Sequence, residues 1–346
     1  MKTTPQVLVI YTGGTIGMVN DPLTGSLTAF DFGDVYKHIP ELGRLNVELT
    51  THAFPHPIDS SEMNPLWWKE MAMLVYSRYN EFDGFVILHG SDTMAFSASA
   101  LSFMLQGLKK PVIFTGSQLP IGTIRTDGKE NLITSIEIAA AKDESGNPRI
   151  QEVAIYFEYS LYRGNRTSKV SASSFEAFRS PNLRPLAVAG VHIDYTGETF
   201  GSDNRESGEL ELFTGFDPSV ALIKFFPGIS WEIYASVFDV RKAKAIILET
   251  YGSGNAPSDK RFHELLLNYL QNGGIVLNIT QCSTGRVEQG KYETSSFFEK
   301  NGVLSGYDLT TEAAVTKVMY ALGKSAGNAK LAKEILQKSI CGEVTL

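Results

Sequence analysis

The amino-acid sequence predicts an α/β protein of two domains, each with a mainly parallel sheet. With 346 residues, the chain exceeds the size at which one hydrophobic core usually stops growing. Continuously apolar segments of strand length alternate with segments of helical apolar spacing, which is the order that a doubly wound sheet requires. A polar stretch rich in Thr, Gly, Ser, Asp and Glu interrupts this alternation near residues 194–209. We therefore expect an N-terminal domain over 1–193, a linker over 194–214 and a C-terminal domain over 215–346.

The first domain is predicted from four short apolar runs of the kind buried in a parallel sheet. These strands are expected over 7–11, 85–88, 111–115 and 153–157. The second strand leads through a polar loop into a helix whose apolar positions run from Phe96 to Leu108 with helical spacing. Another helix is expected over 130–141. Strands and helices thus alternate along this half of the chain.

The same alternation returns in the second domain. Strands are expected over 220–225, 245–248 and 275–279. A helix that carries residues 262–270 is predicted to end at Gly273-Gly274, because glycine commonly follows the last helical turn. Two amphipathic helical segments, 315–322 and 331–336, complete the prediction.

Charge and composition favour small-molecule chemistry. The net charge is −7, and no long run of Lys or Arg provides the clustered positive charge that nucleic acids or anionic membranes need. The two cysteines, Cys282 and Cys341, are too few for a disulfide framework or a structural zinc site. The apolar run near the N-terminus has five residues, too few for a signal-peptide core, and no run reaches membrane-spanning length. We expect a cytoplasmic protein.

Three polar clusters follow predicted strands, at the edge where ligands collect in parallel sheets. They are Thr12-Gly13-Gly14-Thr15-Ile16-Gly17-Met18, His89-Gly90-Ser91-Asp92-Thr93-Met94 and Tyr162-Arg163-Gly164-Asn165-Arg166-Thr167-Ser168-Lys169. The first cluster lacks the dinucleotide-binding and Walker-type patterns, so nucleotide binding is disfavoured. Its glycines could simply turn the chain, but they also let a substrate approach the hydroxyl of Thr15. Taken alone, Asp92 could cap the following helix and Lys169 could be a solvated surface lysine.

These clusters resemble those of the bacterial-type L-asparaginases, in particular the cytosolic, type I branch. The Thr-Gly-Gly-Thr-Ile motif at 12–16 and the His-Gly-Ser-Asp-Thr motif at 89–93 are the most specific parts of the resemblance. Segments 58–63, 115–118 and 251–257 agree with it in order and spacing. The resemblance implies a larger N-terminal catalytic domain, a smaller C-terminal domain, and active sites between subunits of a homodimer that usually pairs into a homotetramer. It implies no metal and no cofactor.

The resemblance also implies roles for individual residues. The nucleophile falls on Thr15, and a triad that assists it falls on Ser91, Asp92 and Lys169. Substrate-binding positions fall on Gly14, Asp59, Ser60, Ser61 and Gly90, and on Asn255, which resembles a residue that reaches the neighbouring subunit's active site. In this interpretation Thr15 attacks the side-chain amide of L-asparagine, ammonia leaves, and water releases L-aspartate from a β-acyl ester. Lys169 would act as a base on Ser91, since an unassisted threonine is a poor nucleophile.

Two departures from the family pattern keep alternatives open. Residues 20–30 contain no tyrosine, whereas many relatives carry one that contacts the nucleophile, and Glu249 stands where some relatives have an arginine of a regulatory asparagine site. A mixed asparaginase-glutaminase is one alternative, because one extra methylene usually discriminates by only ~1 to 3 kcal/mol. A non-catalytic asparagine or aspartate sensor with the same pocket is another.

Overall fold

The computed structural model describes residues 4–20, 27–29, 39–197, 209–290 and 293–346. Contacts between Cα atoms divide the chain into two compact units, Met1–Phe213 and Thr214–Leu346. Each unit is an α/β assembly around its own sheet, in agreement with the predicted fold class. Within the described ranges, no helix combines the length and the apolar character needed to cross a membrane.

The first unit contains an eight-stranded sheet. Its strands in chain order are β1 (Gln6–Tyr11), β2 (Glu48–Ala53), β3 (Gly84–Leu88), β4 (Val112–Thr115), β5 (Val153–Phe157), β6 (Ser160–Arg163), β7 (Ala187–Ala189) and β8 (Ile193–Tyr195). Their order across the sheet is β8-β7-β6-β5-β4-β3-β1-β2. The strands from β2 to β5 in this order pair in parallel, whereas β5, β6, β7 and β8 pair antiparallel.

The parallel strands are buried because helices cover the sheet. The helices of this unit are α1 (Pro65–Ser77), α2 (Met94–Met104) and α3 (Gly128–Ala140). All residues of β3, β4 and β5 are buried, which explains why their sequences are continuously apolar rather than alternating. One core joins Val86 and Ile113 of the sheet to Leu132 and Ile136 of α3.

The end of helix α2 differs from the sequence prediction. Helix α2 ends at Met104, so Leu108 lies beyond it. Leu105–Gln106 instead pairs with Glu211–Leu212, and Gly107 turns the chain with a φ of +77°. Apolar spacing beyond Met104 therefore reflects burial of a non-helical segment rather than another helical turn.

The linker predicted over 194–214 begins inside the sheet. Asp194 and Tyr195 pair with Val188 and Ala187 in the antiparallel edge strand β8. The polar composition predicted a linker at these two residues, but an edge strand with a solvated face also carries polar residues. Residues 198–208 lie outside the described part of the chain, so the extent of the linker stays a prediction.

The second unit is a four-stranded parallel sheet with helices. Its strands are β9 (Val220–Lys224), β10 (Ala245–Thr250), β11 (Ile275–Thr280) and β12 (Leu304–Ser305), which lie in that order. The helices are α4 (Trp231–Tyr234), α5 (Lys260–Gln271), α6 (Glu293–Lys300), α7 (Thr311–Ser325) and α8 (Ala329–Leu336). The Asp259 side chain accepts a hydrogen bond from the Phe262 N–H at the start of α5, and Gly273 follows its end with a φ of +89°. The predicted strands and helices of this half are confirmed.

Candidate active site

Two glycine-containing loops touch at the carboxyl edge of the first sheet. Thr12, after β1, donates from its N–H and from its hydroxyl to the Leu88 carbonyl of β3, at 3.0 and 2.8 Å. Gly14 has a φ of +89°, and a Cβ placed on it would lie 2.6 Å from both the N and Cα atoms of Gly90. Only glycine fits this contact without displacing backbone. The first two polar clusters therefore meet through their glycines.

Thr15 begins a short 3-10 helix directly after this glycine contact. The helix covers Thr15–Gly17, and Thr15 is half-buried, whereas Ile16 is fully buried. Ser91 follows Gly90 on the other loop. Thr15 and Ser91 are thus each one residue away from the contact between Gly14 and Gly90.

Lys169 reaches the second cluster from a distant part of the sequence. It lies in the two-residue strand Ser168–Lys169, which pairs with Phe178–Arg179. Its ammonium nitrogen donates to the Ser91 hydroxyl oxygen at 2.8 Å and to Oδ1 of Asp92 at 2.7 Å. The Lys169 side chain is 17% exposed, whereas that of Asp92 is 68% exposed. The structure brings together these three residues, which sequence analysis grouped through the family resemblance.

The contact with Lys169 decides between the alternatives for these residues. Thr93, not Asp92, is the N-cap residue of α2, and no side-chain hydrogen bond caps that helix. Asp92 therefore serves as a partner of Lys169 rather than as a helix cap, and Lys169 is not a free surface lysine. On losing a proton, an amine in this position can accept the proton of the Ser91 hydroxyl.

The segment that follows Ile58 packs against the same glycine loop. The Ile58 N–H donates to the Thr12 carbonyl at 2.8 Å, and a Cβ on Gly13 would collide with the Ile58 carbonyl. Ser60 is buried, and its hydroxyl oxygen would lie 2.5 Å from a Cβ placed on Gly90. Gly14 and Ser60 therefore both pack against Gly90.

Asp59 and Ser61 form a local hydrogen-bonded pair in that segment. Oδ1 of Asp59 accepts from the N–H and from the hydroxyl of Ser61, both at 2.9 Å. These hydrogen bonds lower the pKa of Asp59, which is exposed and carries a negative charge at neutral pH. An anionic group and hydroxyl groups thus line one side of the glycine contact.

Gln118 is a neighbour of Ser91 to which sequence analysis gave no role. It follows β4, and its Oε1 accepts from the Ser91 hydroxyl at 3.3 Å. Its Nε2 donates to the Ser174 carbonyl at 2.9 Å, and its N–H donates to the Asp127 carboxylate. A polar residue just after a parallel strand was the signal that could have identified it.

The remaining predicted positions lie elsewhere. Asn255 belongs to the second unit, where its N–H and carbonyl exchange hydrogen bonds with Tyr251 at 2.8 and 3.0 Å. Glu249 accepts from the Thr311 hydroxyl and pairs with Lys224 at 3.3 Å. The missing loop tyrosine concerns a segment that falls largely outside the described residues. Within the described ranges, no group of three His, Cys, Asp or Glu side chains is arranged to hold a metal ion.

Comparison with known proteins identifies the family. The chain matches the family model described as "Asparaginase, N-terminal" over residues 6–200 and that described as "Glutaminase/Asparaginase C-terminal domain" over residues 219–335. It is 40% identical to L-asparaginase 1 of Escherichia coli (strain K12) over 344 residues, which cover 98% of either chain.

Solved structures give the same result. The structure of L-asparaginase I from Vibrio cholerae is similar with a TM-score of 0.89 and 38% identity, covering 99% of this chain and 100% of that one. The thermostable L-asparaginase from Thermococcus kodakarensis has a TM-score of 0.86 and 30% identity, covering 98% and 99%. The resemblance to the type I branch and the two-domain α/β fold are confirmed. Because the family models match both halves of the chain and these relatives align over nearly its whole length, the chain belongs to the asparaginase family.

Proposed function

We propose that the protein hydrolyses the side-chain amide of L-asparagine to L-aspartate and ammonia. The observation that carries the proposal is the contact of Lys169 with both Ser91 and Asp92 next to the Gly14–Gly90 contact. The relatives named L-asparaginase support the substrate and the reaction.

In the proposed reaction the Thr15 hydroxyl oxygen attacks the amide carbon of the substrate. The carbon–nitrogen bond breaks, the leaving nitrogen takes up the proton that the Thr15 hydroxyl loses, and ammonia departs from a β-acyl ester on Thr15. Water then cleaves the ester and releases aspartate. Lys169 acts as a base on Ser91 once it has given up a proton, and Asp92 holds Lys169 or the substrate's ammonium group. Positioned proton transfer of this kind contributes roughly 10²- to 10⁴-fold.

In the proposed complex, residues around the Gly14–Gly90 contact bind the charged α-carboxylate and α-ammonium groups of the substrate. The hydroxyls of Ser60 and Ser61 and nearby N–H groups would bind the α-carboxylate, and Asp59 would be a further substrate contact. Gly14 and Gly90 would let the substrate approach the backbone. We further propose that Asn255 completes the site of a neighbouring subunit in a homodimer or homotetramer, and that the enzyme works in the cytoplasm without metal or cofactor.

Glutamine is the second candidate substrate. The match to a domain shared by glutaminases and asparaginases favours testing it. One additional methylene changes binding by only ~1 to 3 kcal/mol, so discrimination depends on how closely the site fits the shorter amide. Ammonia release from the two amino acids at matched low concentrations measures it, and equal rates would exclude asparagine selectivity.

Replacement of the nucleophile tests the proposed mechanism. We expect Thr15→Ala to abolish ammonia release from asparagine, whereas Thr15→Ser retains the hydroxyl and measurable activity. Circular dichroism and thermal melting of both variants serve as the folding control. Unchanged ammonia production by Thr15→Ala would refute the assignment of the nucleophile, and full activity of Lys169→Met would remove Lys169 from the mechanism. Lack of turnover by the wild-type protein would favour the sensor alternative.

A further inference from the structure

A buried chain of hydrogen bonds connects the side chains of Trp68, Ser97 and His89 to the carbonyl of the Gly90–Ser91 peptide bond. His89 follows β3, and only 1% of the residue is exposed. Its Nδ1 lies 2.6 Å from the Gly90 carbonyl oxygen, and its Nε2 lies 2.9 Å from the Ser97 hydroxyl oxygen. The indole Nε1 of Trp68 lies 3.0 Å from the same hydroxyl oxygen. Ser97 and Trp68 are also buried.

The chemistry of the two ends sets the direction of every hydrogen bond in this chain. The indole N–H of Trp68 can only donate, so the Ser97 oxygen accepts from it. The Gly90 carbonyl can only accept, so the His89 hydrogen must be on Nδ1. In a neutral imidazole Nε2 is then an acceptor, and the Ser97 hydroxyl donates to it. Burial supports the neutral ring, because it lowers the pKa of His89 to about 4.

The His89–Gly90 contact orients the next backbone N–H group. The chain contains no cis peptide among its described residues, so the N–H of Ser91 points opposite to the Gly90 carbonyl. Since that carbonyl points to a buried ring, the Ser91 N–H points away from it. No acceptor in the described residues receives this N–H. Gly14 and Ser60 pack against Gly90 and restrict rotation of the peptide.

We propose that His89 is a positioning residue that, together with Ser97 and Trp68, holds the Gly90–Ser91 peptide so that the Ser91 N–H stabilises the amide oxygen during hydrolysis. This inference rests on the proposed function, since negative charge develops on that oxygen when Thr15 attacks. A preoriented donor lowers the barrier because it does not have to reorganise as the charge forms. His89 itself does not touch the substrate and acts through the peptide bond.

Two substitutions of His89 separate its two hydrogen bonds. The side-chain nitrogen of asparagine occupies the position of Nδ1, so His89→Asn can still donate to the Gly90 carbonyl. The amide of glutamine occupies the position of Nε2, so His89→Gln keeps a partner for Ser97 and loses the donor to Gly90. Ser102→Ala is the matched control, because Ser102 is buried in α2, the helix that also contains Ser97, and among the described residues its hydroxyl bonds only to the Ala98 carbonyl.

Steady-state hydrolysis of asparagine and calorimetric binding of aspartate form the test. We expect His89→Gln to lower kcat by about 10²- to 10³-fold, as loss of one such donor does, with a much smaller change in KM and in aspartate affinity. His89→Asn is expected to stay within about tenfold of the wild-type kcat, since it retains the donor to Gly90. Ser102→Ala should leave kcat unchanged. Equal values of kcat for the asparagine and glutamine variants would overturn the inference.

A second measurement does not depend on turnover. Nitrogen NMR of protein labelled with ¹⁵N-histidine, with His89→Asn to assign the signal, reports which ring nitrogen carries the hydrogen at neutral pH. We expect hydrogen on Nδ1 and none on Nε2, and the opposite result would overturn the inference. If wild-type protein released no ammonia, the proposed function would fall and the catalytic role of His89 with it. Wild-type turnover with indistinguishable His89 variants would overturn only the role of His89.

Discussion

Replacing Lys317 by methionine should remove about 3 to 5 kcal/mol of stability from the second unit, because it would break an ion pair between two buried side chains. The Lys317 ammonium lies 2.7 Å from Oε1 of Glu343, and both side chains are 0% exposed. The ammonium also donates to the carbonyls of Leu336 and Lys338, at 3.2 and 2.5 Å. This ion pair ties the chain after α8 to helix α7.

The expected loss of stability is estimated from the interactions that Glu343 would lose and those that it would keep. After the substitution, the Glu343 carboxylate would lose its ion pair with Lys317, while the N–H groups of Ile340 and Cys341, at 2.8 to 3.0 Å, would still donate to it. Uncharged donors do not replace a buried counter-ion, and breaking such a pair typically costs about 3 to 5 kcal/mol. The double variant Lys317→Met/Glu343→Leu removes both charges, so we expect it to be more stable than Lys317→Met.

Hydrogen exchange of α7 amides, followed by mass spectrometry across a urea series, measures the opening free energy of this unit directly. Lys244→Met is the matched control, because Lys244 pairs with Asp217 at the same distance of 2.7 Å but with side chains 54% and 22% exposed. That control should change the opening free energy by less than about 1 kcal/mol. A loss below about 1 kcal/mol for Lys317→Met, or a double variant less stable than Lys317→Met, would refute the reasoning.

Two further predictions concern the candidate active site. Gly14→Ala should abolish asparagine hydrolysis, because the new Cβ would lie 2.6 Å from Gly90 backbone atoms. Gly146→Ala, at a similar φ of +86° with nothing within 4 Å, separates this collision from backbone strain, and equal effects of both variants on activity would contradict the prediction. His89 has a pKa of about 4 in the folded protein against 6.5 as the ordinary value, so the folded state binds fewer protons between these values. The stabilisation of the folded state by the neutral His89 ring is therefore present above pH 6.5 and is lost as the pH falls to 4. Over this pH range we expect the unfolding free energy of the wild-type protein, measured in urea, to fall by about 3 kcal/mol more than that of His89→Asn. Parallel curves of unfolding free energy against pH for the two proteins would refute the pKa shift.

Local sequence patterns determined most of the secondary structure. The buried strands β3, β4 and β5 have continuously apolar sequences, because helices cover both faces of a parallel sheet. Helices α5, α7 and α8 of the second unit were predicted from their apolar spacing, whereas the short helices α4 and α6 were not. The antiparallel strands β6, β7 and β8 were not predicted, because these short strands contain partly exposed residues and lack a continuous apolar signal.

In the candidate site, the sequence predicts individual residues, whereas the contacts between them depend on the tertiary structure. Sequence alone predicted Thr15 and Ser91 from two specific motifs that follow parallel strands, and Lys169 from the family resemblance. Only the tertiary structure decided that Lys169 bonds to a serine 78 positions away, and that His89 bonds to Gly90 and Ser97. Hydrogen-bond partners far apart in the chain depend on how strands and loops converge, and no local pattern of residues encodes that convergence.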